Sequence, residues 1–170
     1  MKRAIALLEK HNLLKIISDE LDINLEIPHI AYVEVKRADS KAILFTNVVD
    51  RKNGKKFKEP VLMNVFCNED AVKLFIGDGD KIGSEIESLL KLKPPVTFSE
   101  KLSTLGKLFS LKNTIPKKIK GKGICQEVIK LGADAKLSDL PVIKTWEEDG
   151  GPFITMGQVY TQSLNGELKN

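Results

Sequence analysis

The chain has 170 residues, of which 42% are hydrophobic, 29% charged and 6% aromatic, and its net charge is +4. This hydrophobic share is that of an ordinary globular protein and excludes a disordered or collagen-like chain. The apolar runs all fall short of the ~18 residues that a membrane-spanning helix needs. The apolar stretch before Glu9 is too short for the core of a signal peptide, so a cytoplasmic location is expected.

The cysteines and histidines form no recognisable metal or redox motif. Cys67 and Cys125 lie in apolar surroundings without CxxC spacing, so both are predicted to be inert packing residues. The chain has two histidines, His11 and His29. With so few candidate ligands, a metal site built only from His and Cys is not expected.

The N-terminal residues predict a helix, a short strand and a second helix. An apolar stripe indicates a helix over 3–11, and the β-branched residues near position 16 favour a strand over 13–17. Asp22 or Asn24 is predicted to cap the second helix, because either side chain accepts a hydrogen bond from a free backbone amide. This helix is expected to reach about residue 37, with Pro28 in its first turn.

Two strands and two helices are predicted next. Apolar runs indicate strands over 42–48 and 61–66, separated by a polar turn. Asn68 is expected to open a helix that Gly77 ends, and a further helix over about 81–91 stops before Pro94. The alternation of helices with short strands indicates an α/β or α+β layer architecture.

The composition changes between residues 94 and 122. A weak helical pattern over 102–109 precedes a basic run that contains Lys117, Lys118, Lys120 and Lys122. A solvated loop is the favoured interpretation, since no aromatic side chains interleave these lysines. Contact with phosphate, and with it weak binding of nucleic acid or another anionic surface, is the alternative. Strands are predicted over 124–129 and 153–162.

The segment Asp149-Gly150-Gly151-Pro152-Phe153-Ile154-Thr155 is the most unusual stretch. Adjacent glycines suit a tight turn before a strand, or the close approach of another backbone or a ligand. The segment lacks the spacing of a phosphate-binding loop. Further on, Asn165-Gly166 indicates a hairpin, and only four residues follow it. The chain is therefore expected to be cut off inside a hairpin.

Several short motifs, taken in order, resemble the N-terminal part of the UbiD decarboxylases. The most specific pair is Leu140-Pro141-Val142 followed by the Asp149–Thr155 segment, and weaker matches precede it along essentially the whole chain. The weaker matches are Leu25-Glu26-Ile27, Ala42-Ile43-Leu44-Phe45-Thr46-Asn47-Val48, Pro60-Val61-Leu62-Met63-Asn64-Val65-Phe66 and Lys93-Pro94-Pro95.

The resemblance implies an α+β fold in two parts. Residues 1–115 would form an α/β N-terminal domain, and residues 116–170 a linker followed by an incomplete, apparently truncated, flavin-binding domain. That second domain would be similar to the split β-barrels of flavin reductases. Exposed strand edges of an incomplete barrel would favour self-association.

The resemblance also implies a cofactor and a reaction. Family members are carboxy-lyases that use prenylated flavin mononucleotide, Mn²⁺ or Mg²⁺, and a monovalent cation such as K⁺. Thr155 and Asn170 match positions beside the cofactor, and Asn170 matches the metal ligand. Oxygen ligation suits these hard divalent cations. The catalytic residues of the family would lie downstream, so none is assigned here and the chain alone is expected to be inactive.

The expected substrate is an aromatic acid, either a polyprenyl-hydroxybenzoate or a naphthoate of ubiquinone or menaquinone biosynthesis. The expected partners are a flavin prenyltransferase that supplies the cofactor and further copies of the full-length chain. A lipophilic substrate would also bring peripheral membrane association, and no nucleic-acid partner is expected. The alternative is a flavin- or nucleotide-binding module without enzymatic activity.

Overall fold

The computed structural model of the chain describes residues 1–91, 116, 118 and 120–169. Its fold is mixed α+β, as predicted, and within this part of the chain it contains four α-helices and one small mixed sheet. The elements, in chain order, are α1 (Lys2–Lys10), β1 (Leu14–Asp22), α2 (Glu26–Val35), β2 (Ala42–Asp50), β3 (Lys55–Lys56), β4 (Val61–Met63), α3 (Glu69–Phe75) and α4 (Gly79–Leu90).

Strand β2 organises the sheet. It pairs in parallel with β1, starting with Leu14 beside Ala42, and antiparallel with both β3 and β4. Helix α2 connects the two parallel strands, as such a connection requires. Seven of the nine residues of β2 are buried, which is typical of a central strand covered on both faces.

The hydrophobic core lies between this sheet and α2. Ile27 of α2 and Phe45 of β2 are fully buried, and Phe57 packs beside them after the β2–β3 turn. One core member comes from far along the chain, because Ile143 is only 6% exposed and belongs to the same cluster. The complete cluster is Ile23, Ile27, Ile43, Phe45, Val48, Phe57, Val61 and Ile143.

The described chain divides into two compact units. One unit combines Met1–Ile76 with the chain from Lys136 onward, and it holds the sheet and its core. The other spans Gly77–Ala135 and contains α4, in which no residue is buried, with 3₁₀ turns at Ile124–Gln126 and Gly132–Asp134. The domain boundary expected at residue 115 falls at the edge of the undescribed stretch and stays a prediction.

Local signals correctly predicted the four described α-helices and the strands β1, β2 and β4, although β1 extends five residues beyond its expected end and β4 is three residues shorter than expected. The two-residue strand β3 lies in the stretch that was expected to be a turn. Asn68 caps α3 as expected, since its Oδ1 accepts the Ala71 N–H at 2.9 Å. Gly77 follows the helix with φ at +101°, the left-handed conformation that glycine adopts without strain. At Asn165-Gly166 a turn closes through the Gly166 N–H and the Ser163 carbonyl, 2.9 Å apart.

Four local predictions were wrong. Neither Asp22 nor Asn24 caps α2, whose N-cap position is Leu25. Residues 124–126 form a 3₁₀ turn rather than a strand, and Cys125 there is exposed, unlike the buried Cys67. Residues 153–162 contain only isolated bridges at their two ends. Apolar side chains such as Val159 remain 70% exposed there, and an apolar run without a partner strand does not form a sheet.

Other sequence predictions fall partly outside the described residues. The helical pattern at 102–109 lies outside the described residues, as do Pro94, where the fourth helix was expected to stop, and Lys117 of the basic run. The described lysines of that run, at 118, 120 and 122, are exposed. No helix among the described residues has the length and apolar character needed to cross a membrane.

We predict that Asn68 stabilises the first unit through two separate contacts. Besides capping α3, its Nδ2 donates to the Ser40 carbonyl oxygen at 2.8 Å. Asn68→Ala removes both contacts, whereas Asn68→Asp retains the cap and loses only the donor. Urea unfolding should therefore show Asn68→Ala less stable than Asn68→Asp by about 1 kcal/mol, the usual contribution of an N-cap. Equal stability of the two variants would contradict the cap.

Candidate functional site

The segment from Leu137 to Thr155, called here the anchored segment, carries both motifs of the most specific sequence match. It begins with a 3₁₀ turn at Leu137–Asp139 and passes through Leu140-Pro141-Val142 to Ile143. Ile143 enters the core formed by the N-terminal sheet and α2. The buried isoleucine therefore fixes this stretch to residues that lie 82 to 120 positions earlier in the chain.

Backbone hydrogen bonds hold the residue after Ile143 in register with the loop that follows β1. The Lys144 N–H donates to the Ile23 carbonyl oxygen at 3.1 Å, and the Leu25 N–H donates to the Lys144 carbonyl oxygen at 3.1 Å. Together they form an isolated parallel bridge between Asn24 and Lys144. The anchored segment is thus bound just beyond the carboxyl end of β1, outside the four strands of the sheet.

The chain then reverses direction through the glycine-containing turn. The Trp146 N–H donates to Asp149 Oδ2 at 2.8 Å, and the Asp149 N–H donates back to the Trp146 carbonyl oxygen at 3.2 Å. After the turn, the Phe153 N–H reaches the Ile143 carbonyl oxygen at 3.0 Å. Neither Gly150 nor Gly151 adopts a positive φ. The motif therefore forms a tight turn, as one of its two interpretations predicted, but the turn leads into an isolated bridge rather than a strand.

A lysine from the β2–β3 hairpin binds the start of the anchored segment. Lys55 Nζ lies 2.6 Å from the Ser138 carbonyl oxygen and 3.0 Å from Asp139 Oδ1. The alkyl stem of Lys55 brings its ammonium within 5.3 Å of the centre of the Phe57 ring. Since the lysine and aspartate side chains are each 35% exposed, this ion pair adds orientation more than stability.

Charged side chains stabilise the loop after β1, whose backbone is hydrogen-bonded to Lys144. The Asp22 N–H donates to Glu26 Oε2 at 2.8 Å, and Arg51 Nη1 donates to Glu26 Oε1. These two hydrogen bonds hold the pKa of Glu26 below its ordinary range, and Glu26 in turn raises the pKa of Arg51. The pair is therefore charged at neutral pH, and it is lost as the pH falls through the lowered glutamate pKa.

A cleft of about 530 Å³ lies between parts of the anchored segment and the residues around the β2–β3 turn. Its walls are mostly apolar and include Phe57 on the sheet side, and Val142 and Phe153 on the segment side. The polar groups at this cleft include Asp50, whose carboxylate already accepts two hydrogen bonds from Asn53 at 3.1 and 2.6 Å. The cleft suits an apolar or aromatic group rather than proton transfer.

A second groove of about 530 Å³ lies between α2 and residues 145–147. Tyr32 and Trp146 meet edge to face in its wall, with ring centres 5.6 Å apart. Lys36 lies over the Tyr32 ring at 5.1 Å. Because Trp146 is the single tryptophan of the chain, its fluorescence reports on this contact.

The predicted site residues are only partly described. Thr155 is exposed and lies in a turn just beyond the Phe153 bridge, whereas Asn170 lies outside the described residues. Their proximity therefore stays a prediction. Within the described ranges no three His, Cys, Asp or Glu side chains form a group that could hold a metal ion. These residues do not fit a complete divalent-metal site.

Several residues that shape the site were not singled out by sequence reasoning. Ile143 has the clearest signal, because it continues the apolar stretch after Leu140-Pro141-Val142. Leu25 lies in one of the weaker family matches, but that match does not reveal its backbone geometry. Nothing local in the sequence reveals the ion pair between Arg51 and Glu26.

Two family models match this chain in order. Residues 5–90 match the family model described as the 3-octaprenyl-4-hydroxybenzoate carboxy-lyase N-terminal domain. Residues 117–170 match the 3-octaprenyl-4-hydroxybenzoate carboxy-lyase Rift-related domain. The chain belongs to the UbiD family of carboxy-lyases, which confirms the resemblance seen in its motifs.

Relatives from two bacteria share this region. Proteins from two strains of Helicobacter pylori are each 41% identical over 175 residues, covering 100% of this chain and 28% of the relative. A protein from Aquifex aeolicus is 36% identical over 166 residues, covering 96% of this chain and 32% of the relative. All three carry the name "uncharacterized protein". The chain thus spans about three-tenths of the length of these relatives.

We predict that Ile143 contributes more to stability than any exposed apolar residue of the anchored segment. Ile143→Ala should lower the free energy of unfolding by about 2–5 kcal/mol, since it leaves a cavity in the core. The matched control is Ile154→Ala, because Ile154 is 60% exposed and should cost less than about 0.5 kcal/mol. Urea unfolding followed by Trp146 fluorescence measures both, and equal losses would contradict the anchoring.

Proposed function

We propose that the chain is the N-terminal portion of a decarboxylase that removes CO₂ from an aromatic acid in ubiquinone or menaquinone biosynthesis. The acid would be a polyprenyl-hydroxybenzoate or a naphthoate, and the intact enzyme would use prenylated FMN, Mn²⁺ or Mg²⁺, and K⁺. The observation that supports this proposal is the order of the two family regions, with a buried contact at Ile143 between them.

In this proposal the chain positions residues beside the cofactor and contributes no catalytic residue. The sheet and α2 would hold the anchored segment so that Thr155 faces the cofactor, and Asn170 would help to hold the divalent metal. Residues from 116 onward would begin a split β-barrel of the flavin-reductase type. An amide oxygen suits the hard cations Mn²⁺ and Mg²⁺, and one such oxygen is far from a full ligand set.

The partners of the intact enzyme are part of the same proposal. A flavin prenyltransferase would supply the cofactor, further copies of the full-length chain would form a homo-oligomer, and a lipophilic substrate would bring peripheral membrane association. This chain covers 28% to 32% of the relatives. Most of the proposed enzyme would therefore consist of residues outside this chain.

We expect the 170-residue chain to release no CO₂ when it is incubated with reconstituted prenylated FMN, Mn²⁺ and a panel of aromatic acids. The full-length Helicobacter pylori relative, treated identically, should release CO₂ from at least one acid of the panel. Headspace analysis with ¹³C-carboxyl substrates measures both, and the relative prepared with unmodified FMN is the control. Turnover by the 170-residue chain, or none by the relative, would contradict the proposal.

A further inference from the structure

Leu25 adopts a backbone conformation that is unusual for its residue type. Its φ is +66° and its ψ is −33°, and the Glu26 N–H donates to the Asn24 carbonyl oxygen at 2.8 Å across it. This is a γ-turn of the rare, strained kind. The other two described non-glycine residues with positive φ are asparagines, which tolerate that region far better than leucine.

The strained turn lies where the anchored segment meets the sheet. The backbone groups on the two sides of Asn24 both bind Lys144: the Ile23 carbonyl accepts its N–H and the Leu25 N–H reaches its carbonyl, each at 3.1 Å. A non-glycine residue keeps such a conformation only where its surroundings enforce it.

Three charged residues, called here the clasp, enforce the turn from one side. Asp22 Oδ1 accepts the Asn24 N–H at 2.9 Å, and Glu26 accepts the Asp22 N–H at 2.8 Å. Arg51 joins them, because its backbone N–H donates to Asp22 Oδ2 at 3.3 Å and its guanidinium donates to Glu26. A further Arg51 nitrogen reaches the Glu20 carbonyl oxygen at 3.2 Å. The clasp consists of Asp22, Glu26 and Arg51.

The ion pair of the clasp is separable from the core. The side chains of Glu26 and Arg51 are 42% and 49% exposed, whereas Asp22 is buried and the core cluster consists entirely of apolar residues. Loss of the ion pair therefore removes a constraint on the turn and leaves the packing of the sheet in place.

We propose that the clasp and the Leu25 turn act together as a positioning device that controls docking of residues 144–153, which follow the buried Ile143, against the loop after β1. Glu26, Arg51 and Leu25 are positioning residues in this account. This proposal rests on the proposed function only in that the docked segment would place Thr155 beside the cofactor. Docking itself is measured without cofactor or turnover.

Two variants of the 170-residue chain, Arg51→Met and Glu26→Gln, test the clasp. Trypsin cleavage after Lys144, quantified by mass spectrometry, should accelerate about threefold, on the scale of an exposed ion pair, because cleavage tracks the population of the open form. Trp146 emission should shift to longer wavelength while the far-ultraviolet circular dichroism of the sheet stays unchanged. Arg51→Lys retains the charge and should recover part of the protection.

Arg37→Met is the matched control. It removes an arginine–aspartate pair, at 3.2 Å from Asp39, that lies away from the anchored segment in the same unit. It should leave the cleavage rate after Lys144 unchanged. Equal cleavage in Arg51→Met and Arg37→Met would overturn the proposal. So would loss of the circular dichroism together with the fluorescence shift, because the clasp would then be a general folding element.

A second pair of variants tests the strained turn itself. Leu25→Gly accepts a positive φ without strain and should keep Lys144 protected. Leu25→Val, whose β-branched side chain opposes that φ, should release the segment. If Leu25→Gly releases the segment as strongly as Leu25→Val, the leucine side chain and not the turn is responsible, and the proposal fails.

Discussion

Burial of Ile143 in the N-terminal core is the interaction on which the candidate site depends. Burying an isoleucine side chain stabilises a protein by about 1.5–3 kcal/mol, whereas a single backbone hydrogen bond contributes about 0.5–1.5 kcal/mol. The anchored segment forms only isolated bridges, and many of its side chains are exposed. The isoleucine therefore determines where the segment lies, and the hydrogen bonds at Lys144 and Phe153 determine its register.

This arrangement gives the two family regions a physical connection. The region matched over 5–90 supplies the sheet, α2 and the turn at Leu25, and the region matched over 117–170 supplies the segment that docks on them. A site built on such a segment is positioned by rigid elements rather than by its own secondary structure. That fits the proposed function, in which this chain would place a turn beside the cofactor of a larger enzyme.

The sequence predicted the elements whose signals are local. Asn68 and Gly77 mark the two ends of α3 through their own backbone chemistry, and the apolar run of β2 has the length and composition of a central strand. The prediction of a strand over 153–162 was wrong. β-propensity reflects packing against neighbouring strands, and no described strand pairs with that run. The motif at 149–155 indicated the site through family resemblance, but its partners Ile23 and Leu25 are tertiary neighbours that no local pattern reveals.

Hydrogen exchange of single backbone amides in the native 170-residue chain tests the anchoring most directly. The Lys144 and Phe153 amides, which donate to the Ile23 and Ile143 carbonyl oxygens, should be protected. Both should lose that protection together in Ile143→Ala. The Phe57 amide, bonded to the Val48 carbonyl oxygen at 2.9 Å, serves as the reference for the sheet. Exchange of Lys144 and Phe153 at the rate of an unfolded peptide, with Phe57 still protected in the unmutated chain, would contradict the account.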